Sequence, residues 1–67
     1  MPIAFEYEKE VPVYRRGDRV VKRSGDYVFE GKVVCAFYKL DDATLRYVVQ
    51  DDRGLLMIMS PRQLDRP

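Results

Sequence analysis

Five cationic side chains lie within nine residues and form the densest group of chemically active residues in the chain. They are Arg15, Arg16, Arg19, Lys22 and Arg23, with Asp18 as their local carboxylate. Such a cluster could bind phosphates or carboxylates, and nucleic acid is one partner that would use it. The alternative interpretation is a solvated strand face whose charges pair with acidic turns. Because alternate residues of a strand face opposite ways, Lys22 does not share the face of Arg19 and Arg23.

The residue types that most enzymes use for proton transfer or nucleophilic attack are scarce. There is no histidine, which removes the usual general base near neutral pH. Cys35 is the only cysteine, so the sequence offers neither a Cys–His pair nor a set of zinc ligands. Its apolar neighbours predict a buried thiol that packs as a small hydrophobic side chain. We therefore expect no catalytic residue and no metal site.

Two pairs of carboxylates, Asp41–Asp42 and Asp51–Asp52, lie in predicted turns. Aspartate in a turn usually accepts hydrogen bonds from nearby backbone N–H groups, and we assign that role to both pairs. The second pair continues into Arg53 and Gly54, which fits a type I turn closed by a left-handed glycine. Acid–base catalysis or cation binding is the alternative role for these carboxylates.

The segment from Leu55 to Met59 consists of five consecutive apolar residues directly after that turn. It is too short for a globular helix and is predicted to be a strand. Because side chains alternate between the faces of a strand, we expect Leu56 and Ile58 to point into the core. The outward-facing residues are then Leu55, Met57 and Met59. A chain of 67 residues has room for one small core, so another subunit, a ligand or the N-terminal segment must cover the outward row.

The rest of the chain is predicted to consist of short strands and tight turns. Strand patterns cover residues 19–23, 29–40, 45–50 and 55–59, followed by a 3₁₀ turn at 60–63 and a closing strand at 64–66. In the longest strand we expect Val33 and Cys35 on one face and a bulge or bend at Gly31. The pattern predicts an all-β fold, a small SH3-like barrel of about five antiparallel strands. The barrel would occupy residues 16–67, after an extended N-terminal arm at 1–15.

Composition places the chain among folded globular proteins, with 46% apolar residues and a formal net charge of +1. The near-neutral charge argues against a nucleic-acid or membrane partner. No run approaches the roughly 20 apolar residues of a membrane span, and the N-terminus lacks the layout of a signal peptide. We therefore expect a soluble, cytoplasmic protein. A domain of this size is marginally stable alone, and oligomerisation is a common remedy.

Two stretches of the sequence match the pattern of one known family. The first is Gly17-Asp18-Arg19-Val20-Val21-Lys22-Arg23-Ser24-Gly25; the second is Phe29-Glu30-Gly31-Lys32-Val33-Val34, with Tyr47-Val48-Val49 later. On these motifs the chain resembles the plasmid-encoded, trimethoprim-insensitive type II dihydrofolate reductases from Gly17 to Arg66. The resemblance implies an SH3-like barrel that assembles as a homotetramer around a central pore, where NADPH and dihydrofolate bind.

In that family a Val-Gln-Ile-Tyr strand lines the pore, and the resemblance places residues 56–59 at this position. Ile58 is kept, and Lys22 matches the family lysine whose charge attracts the anionic ligands. Three positions differ: Met57 replaces glutamine, Met59 replaces tyrosine and Leu55 replaces a pore-facing serine. A thioether is only a weak acceptor, so polar ligand groups would lose their partners at a cost of about 1–3 kcal/mol each. We therefore expect the family fold without its reductase activity.

The predicted function is that of a non-catalytic, homo-oligomeric interaction module, a dimer or tetramer, with Leu55, Met57 and Met59 on its contact surface. A different protein is the other partner that this surface would fit, and no cofactor is expected. One alternative is an NADPH-dependent dihydrofolate reductase of type II that uses Lys22 and Ile58. The second alternative is a nucleic-acid-binding barrel that uses the basic patch, defined as Arg15, Arg16, Arg19 and Arg23.

Overall fold

The computed structural model of this protein describes residues 11–67. Residues 1–10, most of the predicted arm, lie outside the described residues. The described part forms four strands: β1 (Arg19–Lys22), β2 (Phe29–Tyr38), β3 (Leu45–Asp51) and β4 (Leu56–Met59). A single 3₁₀ turn at Pro61–Gln63 follows β4, as predicted, and no α-helix occurs between residues 11 and 67. The prediction of an all-β fold is confirmed.

The four strands form one antiparallel sheet in the order β1-β2-β3-β4. The prediction of a closing strand at 64–66 is wrong, because the chain makes only an isolated bridge there, between Val21 and Asp65. Two backbone hydrogen bonds of 2.8 and 2.9 Å close this bridge. Pro67 follows two residues later, and a proline has no N–H group with which to extend a ladder.

Among residues 11–67, the hydrophobic core consists of six residues, none more than 3% exposed: Val20, Val33, Leu45, Tyr47, Val49 and Leu64. The phenol oxygen of Tyr47 accepts hydrogen bonds from the N–H groups of Val13 at 2.9 Å and Tyr14 at 3.3 Å. The Tyr14 ring packs edge-on against that of Tyr47, with 5.3 Å between their centres. These contacts join residues 13 and 14, which the sequence assigns to the arm, to the sheet.

β2 contains a β-bulge at Val34. Val33 pairs with Val49 before the bulge, and beyond it the register is shifted by one residue. An extra residue in one strand reverses the face of every side chain that follows. The prediction of a bulge at Gly31 is wrong in position, since Gly31 is regularly paired with β3.

The bulge decides which residues in the second half of β2 are buried. Ala36 and Tyr38 pack against the core, whereas Cys35 is exposed. The prediction that Cys35 is buried on the face of Val33 is therefore wrong. The thiol lies on the outer face of the sheet, directly across from Val48 of β3.

Candidate functional site

β4 forms one edge of the sheet and carries most of the apolar residues selected from the sequence. Its pairing with β3 places Met57 opposite Val49 and Met59 opposite Tyr47. Since Val49 and Tyr47 are buried, both methionines lie on the core side of β4, and Met59 packs against the core. The prediction that Met57 and Met59 face outward is therefore wrong.

The outward side chains of β4 are Leu56 and Ile58, which are 58% and 63% exposed. The prediction that they fill the core is wrong, because they lie opposite Gln50 and Val48 on the outer face of β3. We call Leu56 and Ile58 the β4 apolar row. Leu55, which directly precedes β4, is 52% exposed, as predicted. Leu56 is the residue of this surface that sequence reasoning missed.

The apolar surface extends from β4 across the outer face of the sheet. Ile58 lies opposite Val48, and Val48 lies opposite Cys35, so three apolar side chains cross three strands in one line. The neighbouring line starts at Leu56 but continues into Gln50 and then Lys32, which are polar. The apolar surface is therefore narrow and has a polar border, as interaction surfaces on small proteins usually have.

The backbone of β4 also presents hydrogen-bonding groups at the open edge. The N–H of Asp51 donates to the carbonyl of Leu55 at 2.9 Å, which makes this a hydrogen-bonded pair. Such pairs alternate with non-hydrogen-bonded pairs along an antiparallel ladder, so Leu56 and Ile58 occupy non-hydrogen-bonded positions. Their N–H and C=O groups point away from β3. Among residues 11–67, no backbone hydrogen bond outside the ladder with β3 engages residues 56–59.

The turn before β4 is held by the carboxylate of Asp51. Gly54 has a φ of 93° and donates to the Asp51 carbonyl at 2.9 Å, which confirms the predicted turn with a left-handed glycine. The Asp51 carboxylate accepts hydrogen bonds from the N–H groups of Arg53 and Leu55, both at 2.9 Å. It also accepts one from the Tyr27 hydroxyl at 2.7 Å. The carboxylate thus fixes the point at which β4 begins.

Lys22, the last residue of the predicted ligand or interface set, lies at the other edge of the sheet. It belongs to β1, and its ammonium group donates to the carbonyl of Ser24. Three strand spacings separate β1 from β4, which is roughly 14 Å in a flat sheet. Within one chain the structure does not bring Lys22 and Ile58 together.

The arginines of the basic patch are not gathered into one free surface. Arg19 forms ion pairs of 3.3 and 3.2 Å with the carboxylates of Glu30 and Asp52. Arg23 lies 3.8 Å from the Asp65 carboxylate. The other two, Arg15 and Arg16, are exposed in the loop before β1. The geometry of Arg19 and Arg23 agrees with a solvated strand face that pairs with nearby carboxylates.

Asp42, in the turn between β2 and β3, has a pKa below the ordinary aspartate value. The Thr44 hydroxyl, which donates at 2.8 Å, is the main cause, and the Thr44 N–H at 3.1 Å adds to it. We expect Thr44→Val to raise the Asp42 pKa, as measured by NMR titration of its side-chain carboxyl. Lys39→Met is the control, with a smaller expected rise, because Lys39 is a lesser cause. An unchanged pKa in Thr44→Val would contradict this assignment.

The same shift gives a pH dependence of stability with a definite sign. Because the folded-state pKa of Asp42 is lowered, its carboxylate stabilises the fold at pH values above its unfolded pKa. This contribution is lost as the pH falls through the folded pKa, on the acidic side of the ordinary value.

Residues 11–67 contain no group of three or more His, Cys, Asp or Glu side chains placed to hold a metal ion. In the same part of the chain, no helix has the length and apolar character needed to cross a membrane. No protein-family model, curated protein or solved structure matches this chain. The resemblance to the type II dihydrofolate reductases therefore stays a prediction.

Proposed function

We propose that this protein is a non-catalytic, homo-oligomeric interaction module, built as a small SH3-like barrel, in which β4 pairs with β4 of a second copy. The observation that carries the proposal is that, within residues 11–67, no strand pairs with the outer edge of β4, which is lined by the exposed β4 apolar row. Sheet edges of monomeric proteins are usually protected by lysine, proline, a bulge or a covering element. Residues 56–59 include neither a charged residue nor a proline. They form an apolar strand suited to pairing.

Two features of the sheet support the barrel part of the proposal. The bridge between Val21 and Asp65 lies at the outer edge of β1, where the closing strand of such a barrel would pair. The bulge at Val34 divides β2 into a half that pairs with β1, and from Gly31 also with β3, and a half that pairs with β3 alone. A bulge bends its strand, and a bent long strand is what a small barrel needs at its corner.

Symmetry restricts the register of the proposed strand pair. When a twofold axis runs perpendicular to the sheet, residues directly opposite each other must lie on the same face. Pairing Leu56 with the partner's Ile58 meets this condition and places Met57 on the axis. The β4 apolar row then forms two equivalent apolar pairs. The free N–H and C=O groups of Leu56 and Ile58 also gain partners, since both point to the open edge.

Sedimentation at micromolar concentration tests the proposal. We expect the wild-type chain to sediment as a dimer or larger and Ile58→Lys as a monomer, because lysine at the edge disfavours strand addition. Leu40→Lys is the matched control, since Leu40 is fully exposed in the turn after β2, and it should leave the mass unchanged. A wild-type monomer, or an Ile58→Lys chain that associates as the wild type does, would contradict the proposal.

The exposed thiol of Cys35 distinguishes edge pairing from stacking of the outer faces. In the edge-paired dimer five strand spacings, roughly 24 Å, separate the two thiols. That distance is far beyond the Cα separation that a disulfide allows. We expect mild oxidation of the oligomer to leave the chains unlinked. Rapid and complete disulfide linkage would indicate stacked outer faces and overturn the β4 pairing.

Calorimetric titration separates this function from its alternatives. A type II dihydrofolate reductase would give heat on addition of NADPH, whereas an interaction module without a cofactor would give none. A nucleic-acid-binding barrel would give salt-sensitive binding that Arg19→Glu and Arg23→Glu abolish. Either result would replace the proposed function.

A further inference from the structure

We propose that the cleft between the start of β3 and the 3₁₀ turn binds a small phosphate monoester through Arg46 and Arg62. The cleft has a volume of about 340 Å³. Its walls are formed by Thr44, Arg46, Ser60, Pro61 and Arg62. Ligand clefts in proteins usually begin at about 300 Å³, so this one can hold a phosphate group together with a small organic group.

The two arginines bring positive charge to the cleft without an ion-pair partner among residues 11–67. Arg46 is half-buried, and one of its Nη atoms donates to the Leu45 carbonyl at 2.8 Å. Neither Arg46 nor Arg62 forms an ion pair with any residue between 11 and 67. A guanidinium group has five N–H donors, so most donors of both arginines are available to a ligand.

Two other clefts of the same protein contain cations together with carboxylates. One has Arg19 and Lys32 in its wall, but Asp51 and Asp52 line it as well. The other has Arg53, together with Glu30 and the same two aspartates. In both clefts carboxylates would repel an incoming anion, whereas the wall of the Arg46 cleft contains none.

The hydroxyl groups of the cleft are already used as donors within the protein. Thr44 donates to the Asp42 carboxylate at 2.8 Å, and Ser60 donates to the amide oxygen of Gln63 at 3.1 Å. Asp42 is therefore a carboxylate close to the cleft, and the Lys39 ammonium lies 3.9 Å from it. Recognition of an anion is left to the two guanidinium groups.

A phosphate monoester is the anion that fits two guanidinium groups best. Planar guanidinium groups bind phosphate oxygens in bidentate fashion. A monoester carries a charge between about −1.5 and −2 at neutral pH, which matches the charges of two arginines that form no ion pair within residues 11–67. A single carboxylate would leave one of these charges unmatched.

NMR titration of the full ¹⁵N-labelled chain at constant ionic strength tests this site, with glycerol 3-phosphate and acetate as probes. We expect saturable shifts at the Nε–H groups of Arg46 and Arg62 with glycerol 3-phosphate. Acetate should bind at least tenfold more weakly. Arg46→Gln and Arg62→Gln should each weaken glycerol 3-phosphate binding at least tenfold. Arg15→Gln, which removes an exposed cation from the loop before β1, should leave binding unchanged.

Three results would overturn the assignment. Shifts that grow linearly without saturation would indicate general screening rather than a site. Equal weakening by Arg15→Gln and Arg62→Gln would show that net charge decides binding. Acetate binding as tight as that of glycerol 3-phosphate would exclude a phosphate site. Because Arg62 is exposed, Arg62→Gln keeps the test valid even if the half-buried Arg46 cannot be replaced without unfolding.

Discussion

Asp51→Ala is expected to lower the free energy of unfolding by about 3 kcal/mol, as measured by urea denaturation. The Asp51 side chain is 3% exposed and accepts hydrogen bonds from two backbone N–H groups, from the Tyr27 hydroxyl and, at 3.4 Å, from the Arg53 guanidinium. Hydrogen bonds to a charged acceptor contribute about 1.5–3 kcal/mol each, and alanine leaves the donors of Arg53 and Leu55 without that acceptor. Water reaches the exposed turn, so the full sum of these four bonds is not lost.

Asp52→Ala is the matched control, because the two aspartates are adjacent in the same turn. The Asp52 side chain is 63% exposed, and its one ion pair within residues 11–67 is with Arg19 at 3.2 Å. Exposed ion pairs contribute about 0–1 kcal/mol, so this substitution should be nearly neutral. Equal losses in Asp51→Ala and Asp52→Ala would show that the buried carboxylate does not hold the turn.

The Asp51 carboxylate also links the turn to the proposed β4 interface. Its bond to the Leu55 N–H holds in place the residue directly before β4. It therefore helps to set the register in which the side chains of the β4 apolar row face solvent. Under conditions in which Asp51→Ala is still folded, the dimer of this variant should dissociate at a higher protein concentration than the wild-type dimer does. Asp52→Ala should dimerise like the wild type.

The sequence does indicate which side chains of β4 face solvent, although the alternation of residues within the strand alone predicts the wrong ones. A run of apolar residues has no polar side chain to mark its solvent face, so alternation does not show which set of side chains is buried. The turn before β4 supplies this information instead. A type I turn closed by Gly54 fixes the hairpin register, which pairs Val49 with Met57 and Tyr47 with Met59. Once Val49 and Tyr47 are assigned to the core, both methionines must follow them.

The bulge at Val34 is different, because no local signal marks it. Residues 33–36 are all apolar or small, so either face of this part of β2 can be buried. The exposure of Cys35 is decided by its pairing with Val48, a contact between distant parts of the chain. The Arg46 cleft depends on tertiary structure in the same way, since its two arginines are 16 positions apart in the sequence. Strands and turns could therefore be predicted, but neither the outer face of β2 beyond the bulge nor the cleft could.

Gly31→Ala is expected to lower the free energy of unfolding by about 3 kcal/mol, the upper part of the range for overpacking. A Cβ atom at Gly31 would overlap the carbonyl oxygen of Gln50 and lie 2.9 Å from the Cα of Asp51. Both are backbone atoms of β3, so no side-chain rotation can make room. The two strands must separate where Gly31 and Asp51 are paired, and this disrupts the β2–β3 ladder at the end next to the turn before β4. Thermal and urea unfolding measure the loss.

Gly17→Ala is the control that separates steric overlap from backbone strain. Gly17 has a φ of 91°, and a Cβ there would meet no atom within 4 Å. Gly17→Ala should therefore lower the free energy of unfolding only by the cost of placing alanine in the left-handed conformation, about 1 kcal/mol. The clash at Gly31 displaces Asp51, so Gly31→Ala and Asp51→Ala disrupt the same turn. The double variant should therefore lose less free energy of unfolding than the sum of the losses in the two single variants. Strictly additive losses would mean that the close approach at Gly31 does not position the carboxylate that fixes β4.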